Sequence, residues 1–392
     1  MKKQLNLPTP DPDALQRSET LRERIVRAIR QNGPMPFSEY MQRALYTPGL
    51  GYYSNGLPKL GPTGDFTTAP ESSPLFGQCV ARQLDQILGA LGGGNILEFG
   101  AGSGRMARDI LLTLADADAL PERYQILDLS ADLRARQQAF LQESLPPELY
   151  ARVEWLERLP APGWRGVVVA NEVLDAMPVE RFYLEPGTSW RMGVDADESG
   201  QLIWTQLPIS DATLQRVVNG LRSLIKPTSL GYKAEVNLNI HPWLKSLSDF
   251  MAAGAVLLID YGFPQQELYQ KERLNGTLRC FYQHRVHDNP LLWPGLQDIT
   301  AHVDFTEVAE SGFDAGFRVA GFTTQAHFLM STGLLESIPA DLPVTEQLKL
   351  SQQIKTLTLP DEMGEIFKVM ALTKGVDTPL MGFQLVDLRD RL

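Results

Sequence analysis

The segment 95–112 joins an apolar run, three alternating glycines and an amphipathic stretch. This order is typical of a buried β-strand that turns sharply into an α-helix. Gly100, Gly102 and Gly104 allow a tight turn and let the backbone approach a ligand without an interfering Cβ atom. The N-terminus of the following helix offers N–H groups and a positive dipole to an anionic group. The segment therefore predicts a ligand-binding βα turn.

The spacing of the glycines favours one class of ligand over another. Dinucleotide enzymes use G-x-G-x-x-G/A, which fits here from Gly102 to Ala107 and leaves Gly100 unexplained. The glycines alone therefore do not exclude a nicotinamide or flavin cofactor. The alternative form, E-x-G-x-G-x-G, uses Glu98 together with all three glycines, and it is typical of class I S-adenosylmethionine-dependent methyltransferases.

The rest of the chain predicts an α/β fold with a mostly parallel sheet. Short apolar runs separated by helix-length segments are typical of βα units. Such runs lie at 95–99, 124–127, 152–155, 166–170 and 255–259. Residues 181–250 interrupt this rhythm with three short strands and two helices, and we interpret them as an insertion. A final strand at 366–372 is expected to enter antiparallel at a sheet edge.

These patterns divide the chain into three predicted parts. Residues 1–90 form an N-terminal helical extension, with a first helix at 21–31 capped by Ser18, and a lid. Residues 91–180 and 251–375 form the core, and 181–250 cover the acceptor side. The lid is the Gly/Pro-rich stretch 49–66, because irregular segments of this length are often functional. Its alternative is an ordinary loop that packs its aromatic side chains into a core.

Polar side chains follow three of the predicted strands. Asp128 stands where a carboxylate can accept hydrogen bonds from ribose hydroxyls, unless it only caps the next helix. Asn171, Glu172 and Asp175 follow the strand at 166–170, and Asp260 follows the strand at 255–259. Ligands of open α/β sheets bind at the carboxyl ends of the strands, so these residues are candidate site residues. The alternative for Glu172 and Asp175 is a pair of solvated loop charges.

Charge and composition exclude several other classes of function. Lysine and arginine total 36 against 47 aspartates and glutamates, and the net charge of −11 repels nucleic acid phosphates. The five histidines and two cysteines lack the spacing of a metal site, so no metal is expected. No apolar run approaches the roughly 20 residues of a membrane helix. The start of the chain lacks a secretory h-region and cysteines are few, which predicts a cytoplasmic protein.

Several longer motifs resemble the MidA family, bacterial proteins similar to a mitochondrial protein-arginine methyltransferase that acts as a respiratory complex I assembly factor. The matching segments are 64–77, 98–104, 171–178, 259–262, 276–280 and 298–305. The resemblance covers most of the chain, from about Met35 to Leu372. It implies a class I methyltransferase, Rossmann-like sheet with S-adenosyl-L-methionine as cofactor. It also implies methyl transfer to an arginine of a protein partner, such as a respiratory complex subunit. The oligomeric state is not indicated.

The resemblance assigns roles to residues of this sequence. The cofactor motif is matched by Glu98, Gly100, Gly102 and Gly104. Asn171 is also a candidate cofactor-binding residue. At the ribose position this chain has Asp128, where related proteins often have glutamate.

The acceptor side follows from the chemistry of arginine. An arginine side chain stays protonated and presents a planar fork of N–H donors, which a carboxylate can bind through two parallel hydrogen bonds. Glu172 is the first choice for this clamp, Asp175 the second and Asp260 the third. Residues 276–305 either line the acceptor channel or form a structural polar network.

Two other functions stay open: a methyltransferase for a small molecule or another side chain, and a non-catalytic, cofactor-binding assembly chaperone.

Overall fold

The structure is a computed structural model that describes residues 7–57, 59, 68–225, 231–338 and 343–392. Part of the predicted lid, with Asp65 and Phe66, and the first residues of the 64–77 motif lie outside the described residues.

The helices and strands follow one another along the whole described chain. In chain order the helices are α1 (Pro12–Asn32), α2 (Phe37–Tyr46), α3 (Ala69–Ser72), α4 (Pro74–Leu91), α5 (Arg105–Asp116), α6 (Ala131–Ser144), α7 (Pro147–Tyr150), α8 (Ala212–Ile225), α9 (Ile240–Phe250), α10 (Gln265–Leu268), α11 (Phe305–Asp314), α12 (Gln325–Ser331) and α13 (Val344–Thr358). The strands are β1 (Met35–Pro36), β2 (Asn95–Phe99), β3 (Tyr124–Leu127), β4 (Val153–Leu156), β5 (Trp164–Asn171), β6 (Glu180–Glu185), β7 (Thr188–Ala196), β8 (Leu202–Leu207), β9 (Tyr232–Val236), β10 (Met251–Phe263), β11 (Arg279–Tyr282), β12 (Arg285–His287), β13 (Asp298–Thr300), β14 (Val303–Asp304), β15 (Arg318–Thr324) and β16 (Phe367–Lys374).

The chain forms two compact units. Unit 1 comprises residues 1–66, 175–239 and 265–304, and unit 2 comprises 67–174, 240–264 and 305–392. This division differs from the boundaries expected from the sequence. Helix α4 belongs to the unit with the large sheet. Of the expected insertion, residues 181–239 share a unit with the N-terminal residues, and residues 240–250 belong to unit 2.

Unit 2 is built on a sheet with the strand order β15–β16–β10–β5–β2–β3–β4. The pairs β10–β5, β5–β2, β2–β3 and β3–β4 are parallel, so the carboxyl ends of these strands share one edge. Strand β16 is antiparallel to both of its neighbours, β10 and β15. The predicted α/β, mostly parallel sheet is confirmed.

The position expected for the final strand was wrong in one respect. It enters antiparallel, but it lies between two strands instead of at the edge of the sheet. Its side chains explain this placement, because every residue of β16 before Lys374 is buried. A strand whose two faces are both covered is stable in the interior of a sheet, whereas β15 occupies the outer position.

Helices cover the sheet of unit 2 by close packing. Helix α4 packs against α5 at Gly77, where an added Cβ atom would lie 2.6 Å from the Cβ atom of Asp109. The glycine therefore lets the two helix backbones approach. The core of this unit combines buried residues of α4, α5 and the strands, including Ile110, Val167 and Leu257.

Unit 1 contains two antiparallel sheets. One has the order β1–β7–β6–β9 with β8 paired to β7, and the other has the order β12–β11–β13. Leu21 and Ile25 of α1 and Tyr40 of α2 are buried in the core of this unit. Tyr52, from the stretch expected to form a lid, is only 2% exposed and belongs to the same core.

The start of α1 corrects the expected cap. The helix begins at Pro12, and the side chain of Asp11 accepts a hydrogen bond from the N–H of Ala14 at 2.8 Å. Ser18 is a buried residue inside the helix, so its assignment as the cap was wrong. Aspartate followed by proline is itself a strong start signal, because proline fits the first helical position.

No helix in the described parts of the chain combines the length and the apolar character that a membrane crossing requires.

Candidate functional site

The glycine turn between β2 and α5 has the backbone conformation that the sequence predicts. The φ angles of Gly100, Gly102 and Gly104 are 63°, 55° and 88°, all in the left-handed region. Side chains other than glycine rarely adopt this region, so the alternating glycines are required by the turn itself. Gly104 is the N-cap residue of α5, and the first turn of the helix contains no acidic side chain. The start of α5 is therefore suited to an anionic group.

Neighbouring side chains also contact this turn. A Cβ atom at Gly104 would lie 3.4 Å from side-chain atoms of Phe140 and Leu141. A Cβ atom at Gly100 would lie 3.4 Å from a methyl group of Val173. The turn is thus held between α6 and the segment that follows β5.

Glu71, in α3, also fixes the turn. Its carboxylate accepts a hydrogen bond from the hydroxyl of Ser103 and forms an ion pair with Nε of Arg105 at 3.0 Å. The side chain of Glu71 is 9% exposed. Sequence reasoning missed this residue, although it lies inside the 64–77 motif.

Glu98 is bonded within the sheet. It is 1% exposed, and its carboxylate accepts a hydrogen bond from the hydroxyl of Tyr124 at 2.7 Å. Burial raises the pKa of Glu98 to about 7, the hydrogen bond from Tyr124 opposes this rise, and the charge of Asp128 adds to it. Direct contact between Glu98 and a cofactor stays a prediction.

Asp128 stands directly after β3 with both carboxylate oxygens engaged. Oδ1 accepts from the backbone N–H of Ser130 at 2.9 Å, and Oδ2 accepts from Nε2 of Gln137 at 2.9 Å. Burial raises the pKa of Asp128, and these two bonds lower it. Ser130 caps α6, because its hydroxyl accepts from the N–H of Leu133 at 3.2 Å. The helix therefore has a cap other than Asp128.

Leu129, the next residue, is 77% exposed. An exposed apolar side chain beside a carboxylate at the carboxyl end of a strand is suited to contact a flat ring of a nucleoside. Sequence reasoning missed Leu129, and its position next to Asp128 was the available signal.

At the end of β5 the backbone is strained. Glu172 has a φ of 52°, which is uncommon for a residue other than glycine, and its N–H donates to the carbonyl of Ile259 at 2.9 Å. Such strain is found most often at functional sites. Asn171 donates through Nδ2 to Oε1 of Glu172 at 3.2 Å. Its Oδ1 atom is buried without a hydrogen-bond partner among the described residues, so it can accept from a ligand.

Asp260 supports this same turn through backbone contacts. It is 1% exposed, and its Oδ2 atom accepts from the N–H groups of Val173 and Leu174 at 3.2 and 2.9 Å. Its Oδ1 atom accepts from the N–H of Tyr261 at 2.9 Å. The carboxylate is thus engaged by the protein backbone, which favours a supporting role over the third place in the acceptor clamp.

The second choice for the acceptor clamp, Asp175, belongs to unit 1, whereas Glu172 and Asp260 belong to unit 2. Asp175 is 4% exposed and lies near Tyr53, whose hydroxyl donates to Asp298 at 2.9 Å. Burial raises the pKa of Tyr53, and the charges of Asp298 and Asp175 raise it further. Among residues 276–305, where the sequence offered no choice, the structure thus singles out Asp298.

Within the described ranges, no group of three or more histidine, cysteine or acidic side chains is placed to hold a metal ion.

Together these features fit a nucleoside with an amino-acid end. The glycine turn and the start of α5 suit its carboxylate, Oδ1 of Asn171 suits its ammonium group, and Asp128 with Leu129 suits its nucleoside. A model for a family of S-adenosyl-L-methionine-dependent methyltransferases matches residues 79–323, more than half of the chain. The chain belongs to this methyltransferase family. The nicotinamide and flavin alternatives are therefore excluded.

Solved structures agree with this assignment. A protein from Burkholderia thailandensis, crystallised with S-adenosyl-homocysteine bound, is 41% identical and has a TM-score of 0.93. The match covers 99% of this chain and 100% of that protein. The class I methyltransferase fold, the enzyme class and the S-adenosyl-L-methionine cofactor predicted from the sequence are confirmed.

Curated relatives correct one prediction. A Drosophila melanogaster protein named protein arginine methyltransferase NDUFAF7 homolog, mitochondrial, is 28% identical over 96% of this chain and 92% of its own length. A Rattus norvegicus protein named protein arginine methyltransferase NDUFAF7, mitochondrial, is 28% identical over 88% of this chain and 82% of its own length. Because these relatives are named as mitochondrial, the predicted cytoplasmic location is contradicted.

Proposed function

We propose that this methyltransferase transfers a methyl group to an arginine of a protein partner, and that the partner is a respiratory complex subunit. The names of the relatives support an arginine acceptor. In the structure, the observation that carries the proposal is Glu172, held at a φ of 52° at the carboxyl end of β5. Strained backbone persists only where the surrounding structure holds it, and it clusters at active sites and ligand clamps.

The cofactor supplies a methyl group on a sulfonium, which is already activated for transfer. The protein then has to align the acceptor and exclude water. Gly100, Gly102 and Gly104 hold the amino-acid end, Asn171 accepts from the ammonium group, and Asp128 accepts from the ribose hydroxyls. Glu98 supports the strand from which the turn begins.

Glu172 orients the acceptor. A guanidinium is always charged in proteins and donates from a rigid planar fork. Hydrogen bonds between charged groups contribute about 1.5–3 kcal/mol each, enough to fix the plane of the guanidinium. Asp260 acts through Glu172, because its carboxylate accepts hydrogen bonds from the N–H groups of Val173 and Leu174, the two residues that follow Glu172.

The test compares wild-type protein with Glu172→Gln. Transfer of label from S-adenosyl-L-methionine into a cell extract is measured, and binding of S-adenosyl-homocysteine is measured by calorimetry. We expect a labelled protein band with wild-type protein, and a loss of most of the label with unchanged binding for the variant. Glu122→Gln, at an exposed position of the same unit, is the matched control and should keep the label. Near wild-type transfer by Glu172→Gln would remove Glu172 from the mechanism.

The same extract separates the other functions. A labelled small molecule in place of a protein band indicates a small-molecule methyltransferase. Binding of S-adenosyl-homocysteine with no label in any fraction indicates a cofactor-binding assembly chaperone. Acid hydrolysis of the labelled band then identifies the methylated side chain, and a residue other than methylarginine would contradict the arginine acceptor.

A further inference from the structure

Gln137, in α6, is completely buried and joins three separate elements of unit 2. Its Nε2 atom donates to the carbonyl of Gly102 at 3.1 Å and to Oδ2 of Asp128 at 2.9 Å. Its Oε1 atom accepts from Nε1 of Trp155, in β4, at 3.1 Å. Both donors and one acceptor of the amide are therefore used.

The chemistry of the three partners admits only one kind of side chain. A carbonyl and a carboxylate both require a donor, and the indole N–H of Trp155 requires an acceptor. A terminal amide provides two donors and an acceptor in one plane, and the partners also determine which end of the amide is nitrogen. Burial of an amide is costly unless it is hydrogen-bonded. The glutamine is thus matched to this position.

Two of these partners belong to the two halves of the cofactor site. Gly102 lies in the turn that receives the amino-acid end, and Asp128 lies at the ribose position. We propose that Gln137 is a positioning residue that fixes the glycine turn and Asp128 relative to each other, so that both ends of S-adenosyl-L-methionine are bound together. This inference rests on the proposed ribose role of Asp128.

The orientation of Asp128 explains how Gln137 acts. One oxygen of the carboxylate is fixed by the N–H of Ser130 and the other by Gln137. A carboxylate held at both oxygens keeps its remaining lone pairs in fixed directions, and two hydroxyls of a ribose can use them. Without the amide, the carboxylate can turn about its bond to Cβ, and the carbonyl of Gly102 loses a partner.

The test uses Gln137→Met, which keeps the length of the side chain and removes all three hydrogen bonds. Dissociation constants are measured by calorimetry for S-adenosyl-homocysteine and for 5′-methylthioadenosine, which has the ribose but lacks the amino-acid end. We expect Gln137→Met to weaken the binding of S-adenosyl-homocysteine about tenfold or more, since a hydrogen bond to a charged group is lost. The loss of affinity for 5′-methylthioadenosine should be smaller, because only the effect through Asp128 applies to this ligand.

A double-mutant cycle with Asp128→Asn separates positioning from a general structural effect. If Gln137 acts through Asp128, adding Gln137→Met to Asp128→Asn should weaken the binding of 5′-methylthioadenosine by a further factor of less than about two. The proposal would be overturned if the loss of affinity in the double variant were the product of the losses in the two single variants. If Asp128→Asn alone leaves binding unchanged, the ribose role of Asp128 fails, and the inference fails with it for that separate reason.

Gln83→Met is the matched control. Gln83 is also completely buried in unit 2, and its Oε1 atom accepts from the N–H of Gly382 at 2.8 Å. Both variants should lower the melting temperature, but only Gln137→Met should change the affinity. Equal losses of affinity in both variants would contradict the proposal.

Gln137→Glu keeps the test valid if Gln137→Met does not fold. It retains the size of the side chain and an acceptor for Trp155, but it places an oxygen opposite Gly102 and Asp128. It should show the same loss of affinity and the same non-additivity with Asp128→Asn. Wild-type affinity in this variant would also overturn the proposal.

Discussion

Glu98→Gln should stabilise the protein at alkaline pH. Burial, opposed by the hydrogen bond from Tyr124, raises the pKa of Glu98 from 4.5 to about 7. Between these two values the folded protein keeps a proton that the unfolded chain releases, so stability falls as the pH rises. The shift amounts to about 3 kcal/mol, at 1.36 kcal/mol for each pKa unit. Most of it, about 2–3 kcal/mol, should be lost between pH 5 and pH 8.

The measurement is urea unfolding of wild-type protein and of the variant, without cofactor, at several pH values from 5 to 8. Glutamine is neutral and still accepts a hydrogen bond from Tyr124, so its own contribution does not depend on pH. The stability of the variant relative to wild type should therefore increase by about 2 kcal/mol over this range. Parallel curves for the two proteins would refute the reasoning, because other titrating groups are common to both.

Three further predictions concern the site. Gly104→Ala should weaken the binding of S-adenosyl-homocysteine about tenfold or more in calorimetry, because its φ of 88° is left-handed and a side chain other than glycine strains the turn there. Unchanged affinity would contradict this. Asp260→Asn should lower the free energy of unfolding by about 1–3 kcal/mol in urea titrations. The carboxylate accepts hydrogen bonds from three backbone N–H groups, whereas an amide has only one oxygen. A smaller loss would show that the turn does not need these hydrogen bonds. Glu71→Gln removes the ion pair with Arg105, so it should raise the KM for S-adenosyl-L-methionine more than it lowers kcat. An effect confined to kcat would argue against a role in holding the turn.

Local signals in the sequence predicted most of unit 2. Strands β2 and β3 have the predicted bounds, 95–99 and 124–127, because apolar runs between turn residues are short-range patterns. The glycine turn was equally clear, since its three glycines all have a positive φ.

Contacts between distant residues could not be predicted. Tyr53 and Asp298 are separated by 245 positions, and only folding brings the hydroxyl to the carboxylate. The strands β11–β13 are three or four residues long, too short for a clear periodicity, so the sequence did not indicate them. Helix α13 was also missed, because Leu357 is its buried side chain and the other apolar residues of its inner face, Leu350 and Ile354, are only partly buried.

Gln137 shows a third limit. In the sequence it is one polar residue among many in α6, where Gln137 and Leu141 are the buried side chains. A buried glutamine is distinguished from an exposed one only by its partners, and these come from Gly102, Asp128 and Trp155. Sequence reasoning proposed residues for both ends of the cofactor site, but it did not find the side chain that bonds to Gly102 and to Asp128.

The position of β16 has a consequence for synthesis on the ribosome. Strand β10 is made more than a hundred residues before its antiparallel neighbour, since Val256 pairs with Leu372. Until β16 emerges, the nascent chain carries an open strand edge on β10 and a β15 without its partner. Open edges of this kind readily pair with other chains. A translation product that stops before residue 367 should therefore aggregate or require a chaperone, even though the glycine turn and β2–β5 are already complete.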